Sequence, residues 1–300
     1  MRPGRPLLKW AGGKRQLLPV FRRFYPREFG AYFEPFVGSG AVFFDLHAAE
    51  RLDGRRVVLT DSNDDLVGCY RAVRDDPAGV VAALEPLAAG HDAGGPDHYY
   101  VVRESFNRLR RELPPKASYT PALAAMLIYL NRTGFNGLFR LNGDGGFNVP
   151  AGRYLRPRIL EPDHIYAISR ILARRRVSIS RARFDAVLGK ARGGDFLYFD
   201  PPYAPLSPTA RFTAYTMQPF TLGDHRRLVD VVAELARRGC HVMVSNSSAP
   251  EIAALYEGDP GVAAAGLRVH RLPARRAINS RGAARGVVTE LLLTNLEPRD

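Results

Sequence analysis

The stretch "AYFEPFVGSGAVFFDLHAA" (residues 31–49) runs from an apolar segment, through two glycines spaced G-x-G, into a helical pattern. An apolar run bounded by turn residues reads as a strand buried on both faces. Glycines at its carboxyl end let the backbone come close to a ligand. Similar runs recur as "RVVLTD" (56–61), "FLYFD" (196–200) and "HVMVSNS" (241–247), with "VSIS" (177–180) and "ELLLTN" (290–295) as further candidates. Helical patterns alternate with them. "TLGDHRRLVDVVAELARRG" (221–239) sets Leu228, Val231, Val232 and Leu235 on one stripe, and Gly239 is placed to cap its end. Strands alternating with helices predict a Rossmann-like, doubly wound α/β fold with a largely parallel sheet.

The middle of the chain departs from that pattern. Residues 66–160 are polar-helical, then loop-rich, with basic clusters such as "NRLRREL" (107–113). They end in "GFNGLFRLNGDGGFNVPAGRY" (134–154), where two aromatic-bearing runs flank hairpin-turn chemistry at residues 142–146. The expected organisation is a sheet domain made of residues 1–65 and 161–300, with a mostly helical, hairpin-bearing domain at 66–160 inserted between its halves.

Composition narrows the partner. The 300 residues carry a net charge of +13, which favours a polyanion, and nucleic acid is the usual one. No run nears the roughly 18 apolar residues of a membrane span, and the N-terminal "MRPGRPLLKW" lacks an apolar signal region. "PALAAMLIYL" (121–130) reads instead as a core helix. The two cysteines, Cys69 and Cys240, form no CxxC pattern, and the seven histidines show no metal-ligand spacing, so no metal is assigned. A cytoplasmic protein, monomeric in solution, is expected.

Three places carry chemistry. In "FEPFVGSG" (33–40) the third glycine of the dinucleotide fingerprint is replaced by Phe43, which argues against NAD and for a nucleoside cofactor without pyrophosphate. Asp61 closes the next strand about 20 residues on, where a carboxylate can accept ribose hydroxyls. Two of only four lysines fall within "KWAGGK" (9–14), in a chain that otherwise writes arginine; this suggests a need for a compact ammonium head. "FDPPY" (199–203) drives Asp200 to a strand's carboxyl end and fixes the backbone with Pro201 and Pro202. The Asp200 carboxylate and a proline carbonyl form a rigid acceptor pair for an exocyclic amine, and Tyr203 offers a ring to stack on its base.

These segments occur in a telling order. "LLKWAGGK", "FEPFVGSGAVF", "LTDSNDDL", "YLNRTGFNGLFR", "FNVPAGRY" and "FDPPYAPLS" span residues 7–207, and "RRAINSRGAARGVVTELLL" (275–293) follows. Together they resemble the Dam-type, D12-class DNA adenine-N6 methyltransferases of the α group. The resemblance implies S-adenosylmethionine as cofactor and the adenine of GATC in double-stranded DNA as target, flipped out of the duplex, with residues 66–160 as the target recognition domain. It implies cofactor contacts from Trp10 and Lys14, the latter through the methionine carboxylate, and from Glu34, Phe36, Gly38, Ser39 and Gly40 of the glycine turn. Asp61, Asp200 and, by a weaker match, Phe184 and Asp185 complete that set.

Asp200, Pro201, Pro202 and Tyr203 match the catalytic tetrapeptide. Lys9, Phe135, Asn136, Leu138, Arg140, Pro150 and Tyr154 match positions contacting the recognition site; Arg140 suits a guanine edge and Leu138 a thymine methyl. Phe135 departs from the family's frequent tyrosine, losing a hydroxyl while keeping a ring that can wedge into the base stack. The residues alone leave open cytosine-N4 or RNA amine methylation, since the same acceptors can hold other amines. A non-enzymatic DNA-binding protein would explain the charge but leave the cofactor motifs idle.

Overall fold

The computed structural model describes residues 5–10, 12–114, 117–203, 220–275 and 287–299. Residues 204–207 of the DPPY segment and 276–286 of the C-terminal segment lie outside them. In chain order the first elements are α1 (Leu18–Phe21), β1 (Tyr32–Glu34), α2 (Ala41–Ala48), β2 (Val57–Asp61), α3 (Asp64–Asp75), α4 (Pro77–Glu112) and α5 (Pro121–Thr133). They are followed by α6 (Pro162–Leu172), β3 (Val177–Arg181), β4 (Phe196–Phe199), α7 (Leu222–Arg237) and β5 (His241–Ser247). The last are α8 (Pro250–Glu257), α9 (Pro260–Ala264), β6 (Arg268–Arg275) and β7 (Val287–Thr294).

Two compact units share the chain. One holds the residues up to 13 and Asn63–Arg181; the other holds Lys14–Ser62 and nearly all that follows Ala182.

The second unit is built on a sheet whose strands run β2-β1-β4-β5-β7-β6. Strands β2, β1, β4 and β5 are parallel, with Tyr32 opposite both Val57 and Phe196, and Phe196 opposite His241. Strand β7 then runs antiparallel between β5 and β6. The fold is therefore the expected α/β class, with an antiparallel β6–β7 edge joined to its parallel strands. The apolar run 31–37 yields only three strand residues, because Pro35 cannot donate to the ladder. Strand β7 begins at 287, three residues before the apolar run that marks it.

The core of this unit follows from the patterns. Leu228, Val231, Val232 and Leu235 of α7 are fully buried and pack with Leu197 and Phe199 of β4 and Val242 and Val244 of β5. Helix α7 starts at a capping box: Asp224 N–H donates to the Thr221 hydroxyl at 3.2 Å, while Thr221 N–H donates to the Asp224 carboxylate at 2.9 Å. Helix α2 leaves β1 toward β2, while β4 flanks β1 on its other side. The carboxyl ends of β1 and β4 thus lie at the point where strand order reverses, where such sheets bind ligands.

The first unit is mainly helical. Helix α5 is buried almost throughout from Leu123 to Thr133, as a core helix. Helix α4 is broken at Gly95 (φ 51°, ψ −131°), and Pro96 opens its second half. After α5 the chain forms the 134–151 hairpin, with antiparallel bridges between Leu141 and Phe147 and between Gly134 and Ala151.

Candidate active site

The glycine turn after β1 is a shaped piece of backbone. Val37 N–H donates to the Thr60 carbonyl at 3.0 Å, tying the turn to β2. Gly38 and Gly40 both have positive φ, 46° and 68°. A Cβ on Gly40 would meet the Phe44 ring at 3.2 Å, so both backbone and space require glycine there. Asp61, at the end of β2, accepts the Gly38 N–H at 3.1 Å. The carboxylate expected to face a ribose is thus held at the turn itself.

Phe36 stacks on Phe184 with ring centroids 5.4 Å apart and planes 22° from parallel, and Phe220 packs edge-on against both. Asp185 lies 3.5 Å from the Arg183 guanidinium and 3.7 Å from that of Arg227. Ser39 is buried in the turn. Glu34 is 2% exposed and braces the turn from beneath, accepting the Tyr32 hydroxyl at 2.7 Å and the Phe43 N–H at 3.1 Å. Burial pushes its carboxyl up to about 8, against the pull of the Tyr32 hydrogen bond.

The second cluster forms where β4 ends. Lys14 Nζ lies 2.8 Å from Asp200 Oδ1, with only 2% of the lysine side chain exposed. The Ser245 hydroxyl donates to the same oxygen at 3.0 Å. Because Ser245 commits its one proton to Asp200, Tyr198 is the donor in the 2.8 Å contact between their hydroxyls. Burial raises the Asp200 carboxyl above its ordinary range, while the Lys14 ammonium and the Ser245 hydroxyl pull it back toward the ionised form. Lys14 Nζ also sits 4.6 Å over the Tyr203 ring, and Tyr203 donates its hydroxyl to Glu290 Oε2 at 2.6 Å. Pro201 is buried and Pro202 partly so, which fixes the backbone between Asp200 and Tyr203.

The other candidates belong to the first unit. Trp10 stacks on Phe139 at 5.7 Å. Lys9 places its ammonium 4.5 Å over the Tyr154 ring. Its backbone is clasped by buried Asn131, which accepts the Lys9 N–H at 2.8 Å and donates to the carbonyls of Lys9 (2.7 Å) and Gly137 (2.9 Å). Phe135 is 44% exposed, and its N–H donates to the Pro150 carbonyl at 2.9 Å. Asn136 is left-handed (φ 54°) and exposed, a conformation asparagine tolerates better than most residues. Leu138 is partly buried. Arg140 is aimed by its own hairpin, donating to the Asn148 side chain at 2.7 Å and to the Asn148 carbonyl at 3.1 Å.

Three residues that sequence reasoning passed over hold these clusters together: Ser245, Glu290 and Asn131. Ser245 was visible only as a polar interruption in the apolar run 241–247, and Glu290 as the first residue of an apolar run. Among the described residues no group of three potential ligands could hold a metal ion, and no helix is long and apolar enough to cross a membrane.

Comparison with known proteins agrees with this chemistry. Residues 10–277 match the model of the D12 class N6 adenine-specific DNA methyltransferases. A type II methyltransferase of Lactococcus lactis subsp. cremoris is 38% identical over 97% of this chain and 95% of its own length. A type II methyltransferase of Methanocaldococcus jannaschii is 35% identical, covering 97% and 99%. The DNA adenine methylase of Escherichia coli strain K12 is likewise 35% identical, over 97% and 95%. With a family match over residues 10–277 and relatives aligned across nearly its whole length, the chain belongs to the D12 class of N6 adenine-specific DNA methyltransferases.

Proposed function

We propose that the protein transfers a methyl group from S-adenosylmethionine to N6 of an adenine flipped out of double-stranded DNA, within GATC. The observation that carries this reading is Asp200, held by Lys14 and Ser245 at the end of β4 beside Tyr203. The second unit is the transfer domain and the first the reader of the recognition site.

The residues of the glycine turn fit a nucleoside with an amino-acid tail. Gly38 and Gly40 give a turn without side chains, Asp61 supplies a ribose acceptor, and the Phe36–Phe184 pair supplies an apolar face for a purine. Lys14 places an ammonium beside Asp200, of the charge that the carboxylate of such a tail would meet. When bound, S-adenosylmethionine supplies an electrophilic sulfonium methyl.

The chain's own residues do the rest. An adenine amine is a weak nucleophile because its lone pair is delocalised into the ring. The Asp200 carboxylate and the Pro201 carbonyl accept hydrogen bonds from its two N–H groups, which favours a pyramidal nitrogen and stabilises the positive charge that develops until one of those protons is released. Lys14 and Ser245 both bond Oδ1, so the incoming amine is received on Oδ2. Tyr203 stacks on the flipped base, and extrusion itself costs about a few kcal/mol. Arg140, pre-aimed by Asn148, reads a guanine edge, and Leu138 a thymine methyl.

The test is a duplex containing GATC, incubated with and without S-adenosylmethionine and then digested by endonucleases that differ in sensitivity to adenine methylation. Protection should require the cofactor and fail with Asp200→Ala, while that variant still binds the duplex. Protection without GATC overturns the sequence assignment, and near-normal turnover by Asp200→Ala overturns the mechanism.

A further inference from the structure

Glu290 sits on β7, opposite Ser247 of β5, far in sequence from every motif of the site. Its carboxylate is partly buried, with 16% of the side chain exposed. Oε2 accepts the Tyr203 hydroxyl at 2.6 Å and lies 4.0 Å from Lys14 Nζ. The same ammonium stands 4.6 Å over the Tyr203 ring and 2.8 Å from Asp200. The four groups therefore close a ring: Asp200 to Lys14, Lys14 to Glu290, Glu290 to Tyr203, and Tyr203 back to Asp200 through two prolines.

We infer that Glu290 is a positioning residue of the methyl transfer, fixing the plane of the Tyr203 ring through its hydroxyl and the location of the Lys14 ammonium through its charge. The inference rests on the function proposed above. A stacking ring on a loop can rotate about χ1 and χ2, and each rotation changes the face offered to a base. A short hydrogen bond from the ring's far end to a charged acceptor on a sheet strand restricts both torsions at once. The strand is anchored by pairing on both sides, so the acceptor does not follow the loop. Two carboxylates also flank one ammonium, which draws Lys14 toward a position between them instead of collapsing it wholly onto Asp200.

The experiment measures single-turnover methylation of a GATC duplex, with saturating S-adenosylmethionine, by wild type, E290A, E290Q, Y203F and E290A/Y203F. Thermal stability and duplex affinity are measured alongside. E290A and Y203F should each slow transfer about 10- to 100-fold, the range for losing a charge-assisted hydrogen bond. The double variant should be no slower than the slower single one, because both remove the same bond. E290Q keeps an acceptor oxygen for the Tyr203 hydroxyl and should recover most of the rate lost in E290A.

Wild-type speed in E290A, or losses that multiply in the double variant, overturns the inference. So does a rate loss that tracks thermal stability across the set. Should E290A fail to fold, Y203F removes only a hydroxyl and, with E290Q, still decides the matter. A wild-type protein with no methyl transfer to the duplex would instead defeat the proposed function, so the two failures are distinguishable.

Discussion

Glu34 shows how one buried carboxyl sets a pH dependence. It lies beneath the glycine turn, held by a hydroxyl and an N–H, and its carboxyl is pushed from the ordinary 4.5 up to about 8. Between those values the folded protein holds a proton that the unfolded chain has released. Stability is therefore fully present below about pH 4.5 and falls as pH rises through the window to about 8. Glu34→Gln keeps the shape and the acceptor oxygen but cannot ionise. In denaturant titrations the wild type should lose about 2–4 kcal/mol relative to Glu34→Gln between about pH 5 and pH 8. Parallel curves for the two proteins would show that Glu34 titrates normally. Asp200 and Glu290 are shifted in the same direction by burial, so only the difference between the two proteins isolates Glu34.

Strands β5 and β6 differ in legibility because only the first is buried along nearly its whole length. Strand β5 occupies residues 241–247 as its apolar run indicates, because it is flanked by strands on both sides and all but its first residue are buried. Strand β6, "RVHRLPAR", gave no apolar signal. It is the edge of the sheet, where charged residues and Pro273 are tolerated because one ladder is missing.

The chemistry divides in the same way. The residues of the DPPY and glycine motifs stand at strand ends, where local sequence announces them. Ser245 and Glu290 act on that site from within β5 and β7, so only pairing across the sheet reveals them.

The hairpin at 134–151 was legible by its turn residues, but its support was not. Asn107, on the second half of α4, accepts the Phe147 N–H at 2.7 Å and donates to the Phe147 carbonyl at 3.0 Å. Arg110 donates to the Gly145 carbonyl at 2.8 Å and pairs with Asp65 at 2.6 Å. "NRLRREL" is thus in part a brace and not only a charged face. Asn107→Ala leaves two backbone groups of Phe147 without partners and should cost about 1–3 kcal/mol in stability. On the reading role proposed for Arg140, site discrimination should fall too, because the same hairpin carries that residue. A variant with unchanged melting and unchanged discrimination would show that the hairpin stands without α4.

At the scale of the whole molecule, the last strand in sequence is not the last in space. Strand β7 lies between β5 and β6 and carries Glu290. A chain ended at residue 286 should therefore expose the β5 edge, lose methyl transfer and accumulate as aggregate; a soluble, cooperatively melting product would contradict this.

A second consequence comes from the order in which the chain is made. Strand β1 pairs with β4, Tyr32 opposite Phe196, and everything between them must be synthesised before that pairing can form. At about 5–20 residues per second this is a delay of roughly 10–30 s, during which an apolar strand edge waits on the ribosome. The unit built around Asn63–Arg181 also takes in residues before 14, all of them made before β4, and can begin to close in that interval. That unit should then fold first, and the sheet of the second unit should be completed last, by the strand that carries Glu290.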